Sequence, residues 1–215
     1  MKHITFYLDF ISPYAYLAFE KLPEALMGLS YTVSYKPVLL GALLQHHGQL
    51  GPAEIAAKRA WTYRHVEWLG HSQQVDLQMP AVHPFNPLPL LRLAVAHAHL
   101  NAGEPNRHVC ETLFHHVWRG GADVLDAARL QALDARLPAH PDPQSDTVKA
   151  QLKQQTEAAI TAGVFGVPAF GVDGKVFWGF DALPMLHDYL AGDAWFDGPS
   201  WTKPARVQEN ILKKR

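Results

Sequence analysis

His3-Ile4-Thr5-Phe6-Tyr7-Leu8-Asp9-Phe10-Ile11-Ser12-Pro13-Tyr14-Ala15-Tyr16-Leu17 holds the junction on which the fold turns. Up to Phe10 the chain alternates apolar with small or polar residues and is rich in β-formers, which predicts a strand. Ser12-Pro13 then predicts a helix start. A serine hydroxyl can accept from the unpaired amides of a first turn, and proline at the first helical position wastes no donor. Ile11 and Tyr16 fall at the two places of a hydrophobic staple. The helix is expected to run through Leu17, Phe19 and Leu22 to about Gly28, with Leu29 to Val38 alternating again as a second strand. Strand, helix and strand in so short a span form a βαβ unit, whose strands should be parallel.

Moving outward, the pattern changes. Glu54 to Val75, Leu88 to Leu100, Asn106 to Arg119, Leu125 to Leu137 and Thr147 to Ala162 all carry helical apolar spacing. Proline-rich breaks at Met79–Pro87 and Pro138–Pro143 divide them. Beyond the last helix, Ala169-Phe170-Gly171-Val172 and Lys175-Val176-Phe177-Trp178 flank Asp173-Gly174, a strong hairpin signal. Asp181 to Leu190 predicts a closing helix, and the tail from Gly198 to Arg215, basic at its end, is expected to pack poorly or fray.

The order βαβ, helices, ββα brings a parallel half and a hairpin half into one small mixed sheet. This is an α/β chain with a thioredoxin-like βαβ…ββα arrangement and an all-helical insertion. The expected boundaries are 1–50 for the N-terminal βαβ part, 51–163 for the helical insertion, 164–192 for the C-terminal ββα part and 193–215 for the tail. The composition agrees. In 215 residues, 48% are hydrophobic and 18% charged, which suits a sizeable core and excludes a disordered chain or a coiled coil. A net charge of -1 offers no general attraction for nucleic acid. No run reaches the length of a membrane span, and the alternating N-terminus with Asp9 is unlike a signal peptide, so a cytoplasmic location is expected. One cysteine, Cys110, can form neither an internal disulfide nor a CxxC pair.

Three places can carry chemistry. Ser12 stands where free amides and the positive end of a helix dipole favour an anion or a thiolate, although a serine there can equally be only an N-cap. Val167-Pro168 opens a strand opposite that helix. The bond can be cis or trans, and the main chain of Val167 could pair with a peptide-like ligand as a neighbouring strand would. Asp181, after Trp178-Gly179-Phe180, can cap the last helix, hold a ligand ammonium group, or both. The histidine pairs His46-His47, His97 with His99, and His115-His116 lack i, i+4 spacing and acidic or cysteine partners, so no metal site is expected. Cys110 reads as a packed hydrophobe.

Tyr7-Leu8-Asp9-Phe10-Ile11-Ser12-Pro13-Tyr14-Ala15-Tyr16-Leu17, with His83-Pro84-Phe85-Asn86, Phe165-Gly166-Val167-Pro168 and Trp178-Gly179-Phe180-Asp181, resembles the 2-hydroxychromene-2-carboxylate isomerase family. That family groups with kappa-class glutathione transferases and DsbA-like proteins. The resemblance runs from the first strand to about Leu190. It implies that Ser12 replaces the first cysteine of a CxxC motif and activates the thiol of bound glutathione. By the same resemblance Val167, ahead of a cis Pro168, pairs with the cysteinyl part, and Gly179, Phe180 and Asp181 hold the γ-glutamyl end. Phe85 and Asn86 border a small aromatic carboxylate substrate.

The reaction implied is reversible thiolate addition that lets a double bond rotate, giving trans-o-hydroxybenzylidenepyruvate and returning glutathione unchanged. Relatives of this kind are commonly homodimers. A kappa-type glutathione transferase would use the same serine, and a non-catalytic thioredoxin-fold protein could bind a thiol or peptide in the same crevice. Two departures bear on substrate: Ala53-Glu54 stands where relatives carry a glutathione-contacting asparagine, and Leu44 where the isomerases carry a lysine. Lys36, Lys58, Arg59 and Arg92 are the candidate cations for the substrate carboxylate.

Overall fold

Four strands form one mixed sheet in the computed structural model, which describes residues 1–98, 103–137 and 141–203. Their order is β2-β1-β3-β4, with β1 Lys2–Leu8, β2 Tyr31–Pro37, β3 Ala169–Val172 and β4 Lys175–Trp178. β1 pairs parallel with β2 and antiparallel with β3, and β3 pairs antiparallel with β4. The central position of β1 places its C-terminal end, and the loop to Ser12, between the two halves of the chain. At the hairpin Asp173 and Gly174 both have positive φ, 49° and 76°, the left-handed pair that a tight two-residue turn requires.

The helices are α1 Pro13–Ala25, α2 Leu40–His46, α3 Ala56–Ser72, α4 Leu88–Ala98, α5 Arg107–Trp118, α6 Ala127–Ala135, α7 Asp146–Thr161, α8 Leu183–Ala191 and the short α9 Pro199–Thr202. α1 is capped as its sequence dictates: Ser12 is the N-cap and Pro13 the first helical residue. On one side of the sheet Ile4, Phe6, Leu8 and Phe170 meet Phe19 of α1 and Phe114 of α5 in the larger core. On the other, Tyr7 and Ala169 meet Ala159 and Ile160 of α7 and Leu43 of α2. The first face, at Ile4, Phe6 and Leu8, is fully buried and the second, at Thr5 and Tyr7, half-buried, which matches the alternation along β1.

The stretch that holds Leu44 forms α2, Leu40–His46, a helix that the sequence did not announce. One expectation is corrected: the described start of the tail is not loosely packed. Phe196, 5% exposed, and Trp201 lie against Phe177 at 5.9 and 5.7 Å between ring centres, and Phe196 also meets Tyr189 at 5.3 Å. His99, Leu100, the Pro138 end of the second proline-rich break and residues 204–215 lie outside the described residues.

Candidate active site

The loop from Asp9 to Ser12 is held by nearly every polar group it offers. Trp118 Nε1–H donates to the Phe10 carbonyl at 3.0 Å, and His83 Nε2–H to the Ile11 carbonyl at 2.8 Å. Asp9 Oδ1 accepts from the Ile11 amide at 3.2 Å, while its Oδ2 accepts from the Leu40 amide at 2.9 Å and ties the loop to α2. The Ser12 amide donates to the Asp9 carbonyl at 3.0 Å. A carbonyl can only accept, so His83 carries its proton on Nε2. Nδ1 then accepts from the Tyr63 hydroxyl at 2.7 Å. Burial lowers the His83 pKa, against the pull of the Ile11 carbonyl, and keeps the ring neutral.

Held this way, Ser12 is 6% exposed and faces across a crevice. Its Oγ accepts from the Ala15 amide at 3.2 Å, the cap bond, and donates to the Val167 carbonyl at 3.5 Å, a long contact. The two residues are 155 positions apart, so the site exists only in the folded chain. The Val167–Pro168 bond is cis. Among the described residues the Val167 amide makes no hydrogen bond, and strand pairing begins only at Ala169. A backbone edge with one free donor, and an acceptor shared with a serine, is what a peptide-like ligand can join.

The Gly179 amide donates to the Pro168 carbonyl at 3.0 Å, which brings the third element to the second. Gly179 has φ 106°, a conformation that favours glycine, and a Cβ there would stand 2.3 Å from Asp181 Oδ1 and displace that exposed carboxylate. Asp181 does not cap α8. The N-cap is Ala182, without any side-chain bond, which leaves the exposed carboxylate available. Phe180 packs with Tyr14 around Leu17, Val66 and Leu69. The Tyr14 pKa is raised, first by burial and then by the negative charge of Asp181, so the two side chains share one region.

A chain of contacts thus runs from Ser12 to Val167, from Pro168 to Gly179, and through Tyr14 to Phe180 and Asp181, the last two of which also line a cavity with Lys21, Leu183 and His187. Phe85 and Asn86 lie one step further out, with Phe85 against His83 at 6.1 Å between ring centres. Phe85 is 8% exposed within the main core, and Asn86 Oδ1 accepts from the Leu88 amide at 3.1 Å. It is their neighbour His83 that touches the Ser12 loop. Asp9, Tyr14, His83 and Trp118 are the contributors that sequence reasoning left without a role; the first three lie inside its quoted motifs. Of the candidate cations, Lys36 is paired with Glu104 at 2.7 Å and Arg92 donates to Gln144 at 2.8 Å, while Lys58 and Arg59 lie exposed on α3. Glu54, in the place of the relatives' asparagine, is occupied by the Gly51 amide at 2.6 Å. His115 and His116 are spent separately, His115 on Glu20 and His116 on the Val124 carbonyl, while the rings of His46 and His47 meet each other edge to face at 4.9 Å.

A helix N-terminus capped by serine and facing a cis-proline loop defines a thioredoxin-fold protein that lacks a cysteine of its own at the site. Residues 3–191 match the DSBA-like thioredoxin domain, and the chain belongs to that family. It is 26% identical to 2-hydroxychromene-2-carboxylate isomerase of Sphingobium xenophagum over 196 residues, 88% of this chain and 98% of that protein. It is 25% identical to glutathione S-transferase kappa 1 of Rattus norvegicus over 221 aligned positions, 95% of this chain and 97% of that one. A solved structure of 2-hydroxychromene-2-carboxylate isomerase superposes with a TM-score of 0.72 at 22% identity, covering 91% of this chain and 97% of the other. Likeness to curated isomerases along nearly its whole length makes the chain an enzyme of this isomerase-like group.

Proposed function

We propose that the chain is a cytoplasmic, glutathione-dependent cis–trans isomerase of a small aromatic carboxylate, 2-hydroxychromene-2-carboxylate or a close analogue. The observation that carries this reading is the facing pair Ser12 Oγ and Val167, at a helix N-terminus and beside an unpaired amide. Glutathione fits the groups present. Its cysteinyl peptide needs one donor and one acceptor in strand geometry, which Val167 offers. Its γ-glutamyl ammonium needs a carboxylate, which Asp181 offers in a cradle that a Cβ at position 179 would fill. Bound glutathione would supply a thiolate whose reversible addition converts a double bond into one that can rotate.

The chain's own residues set the conditions for that thiolate. Ser12 is a donor rather than a nucleophile. Its hydroxyl already gives its proton to a carbonyl, and His83, in the adjacent loop contact, is committed to Ile11. Turning that donor toward sulfur, with the positive end of α1 behind it, stabilises the anion. His83, Trp118 and Asp9 fix the loop so that little reorganisation accompanies the charge.

A kappa-type transferase would use the same crevice, and the transferase relative covers 95% of the chain. The two readings differ in stoichiometry. Following 2-hydroxychromene-2-carboxylate spectrophotometrically with glutathione well below substrate, isomerisation predicts many turnovers per glutathione. Consumption of one glutathione per product would favour the transferase, and no reaction with or without glutathione would defeat the isomerase. Ser12→Ala should lower kcat about a hundredfold, the usual cost of one donor to a developing anion, while glutathione still binds. Full activity in that variant would reduce Ser12 to a helix cap.

A further inference from the structure

α3 buries only Val66, Leu69 and Gly70 of its 17 residues. Its outer face carries Trp61, His65 and Trp68, at the i, i+4, i+7 spacing that brings side chains into one stripe. The three rings form a ladder. Trp61 and His65 lie within 12° of parallel at 6.2 Å, and His65 and Trp68 within 14° at 6.0 Å. Both indoles stand largely in water, 66% and 59% exposed. Two exposed tryptophans on either side of one histidine are a costly surface unless something covers them.

The ladder is continuous with the crevice. The middle rung, His65, meets the Tyr14 hydroxyl at 2.9 Å through Nδ1, and Tyr14 lies two residues after Ser12. Its flanks are cationic. Lys58 precedes Trp61 by three residues. Arg64 follows Trp61 by three and precedes Trp68 by four, so it neighbours both indoles. Both cations are exposed, and among the described residues neither lies within 4.0 Å of a carboxylate. Glu67 is the helix's one acid. Arg59, a quarter-turn away from Lys58, lies instead beside Tyr63, whose hydroxyl its charge influences.

Flat rings bordered by unpaired positive charge complement a flat ring bearing negative charge. We propose that the Trp61–His65–Trp68 face is a capture site for aromatic carboxylates, with the ring against the indoles and the carboxylate at Arg64. This rests on the isomerase reading for its biological meaning, and deepens it. It supplies the cation that Leu44 does not, and places substrate recruitment on α3 rather than at Phe85 and Asn86. A second copy of the chain, with Arg64 set against Glu67 of its image, is the competing occupant, and the test separates the two.

The test uses the full chain and benzoate, which cannot be isomerised, with benzamide as the uncharged control. Binding is read from the indole N–H signals of Trp61 and Trp68 in nitrogen-15 NMR spectra. Benzoate should shift both signals saturably, benzamide far less, and added salt should weaken the effect. Arg64→Gln should weaken benzoate binding roughly fivefold, the scale of one exposed charge pair, and Trp61→Ala, read at the remaining Trp68 indole, should weaken it at least as much. These side chains are exposed, so the variants keep the core. Equal response to benzamide, or an unchanged constant in Arg64→Gln, would overturn the proposal. So would a dimer that Trp68→Ala converts to monomer, which would assign the face to a second copy. Benzoate binding with no isomerase turnover would sink the functional reading alone.

Discussion

Asp9 has no accessible surface and two amides on its carboxylate, with no cation paired to it among the described residues. Burial pushes its pKa up to about 7, against the opposing pull of the Leu40 and Ile11 amides. In the unfolded chain an aspartate ionises near 3.9. Between those values the folded form holds a proton that the unfolded form has lost, so stability falls as pH rises from about 4 to about 7 and is level beyond. Asparagine does not titrate. Asp9→Asn should therefore be less stable at low pH, because one amide faces its NH2 group, and should recover about 2–3 kcal/mol relative to the parent between pH 5 and pH 8. Urea unfolding of both proteins at the two pH values measures this, and a pH-independent difference would show that Asp9 does not titrate there. Cys110 is the complementary case. It too is fully buried, and burial pushes its thiol well above the ordinary cysteine range, so the thiolate is scarce. Native protein should resist thiol reagents until denatured, and Cys110→Ala should keep its activity. Rapid labelling of the native chain, or loss of turnover in that variant, would bring this cysteine back into the chemistry.

At the scale of elements, what stood plainly in the sequence was whatever has a local cause. Ser12-Pro13 specifies the start of α1 through capping, and Asp173-Gly174 specifies the hairpin through positive φ. α2 has no such cause: Leu39 at its N-cap supplies no side-chain bond, and Leu40–Leu44 shows no polar face from which to read a helical period. Its place is set by tertiary partners, Leu43 in the second core and the Leu40 amide on Asp9. The crevice divides in the same way. Ser12, Val167-Pro168 and Gly179–Asp181 announce themselves by residue type, whereas the supporting bonds from His83 and Trp118 come from distant segments and have no local pattern. The segment after α8 also depends on a remote partner, because Phe196 and Trp201 pack against Phe177 on β4. Phe196→Ala should cost about 3–5 kcal/mol, as for other buried phenylalanines, and would show as a lower urea midpoint with activity per folded molecule retained. A loss below 1 kcal/mol would mean that the segment contributes little to the fold.

Taken whole, the molecule brings its two ends together at the candidate site: β1 pairs directly with β3, and Ser12 at the start of α1 meets Val167 from the hairpin half, which also carries Asp181. A ligand that bridges these segments can bind only the folded chain, so its binding must appear as stability. The single buried cysteine gives the same result from the chemical side, since a thiolate mechanism in this fold needs sulfur from outside. Glutathione at a hundred times its Kd should therefore raise the free energy of unfolding by about 2.7 kcal/mol in the parent chain. Ser12→Ala starts lower by about 1 kcal/mol for the lost cap, yet should gain nearly as much from glutathione, because the Val167 edge and Asp181 remain. Gly179→Ala separates binding from catalysis in the other direction. Its Cβ would collide with Asp181 Oδ1 at 2.3 Å, so the carboxylate must leave the cradle, and most of the glutathione-dependent gain should vanish. Thermal unfolding of the three proteins across a glutathione series measures all of this. An unmoved midpoint in the parent chain at saturating glutathione would remove glutathione as cofactor, whatever the fate of the aromatic carboxylate. A full gain in Gly179→Ala would remove Asp181 from its binding.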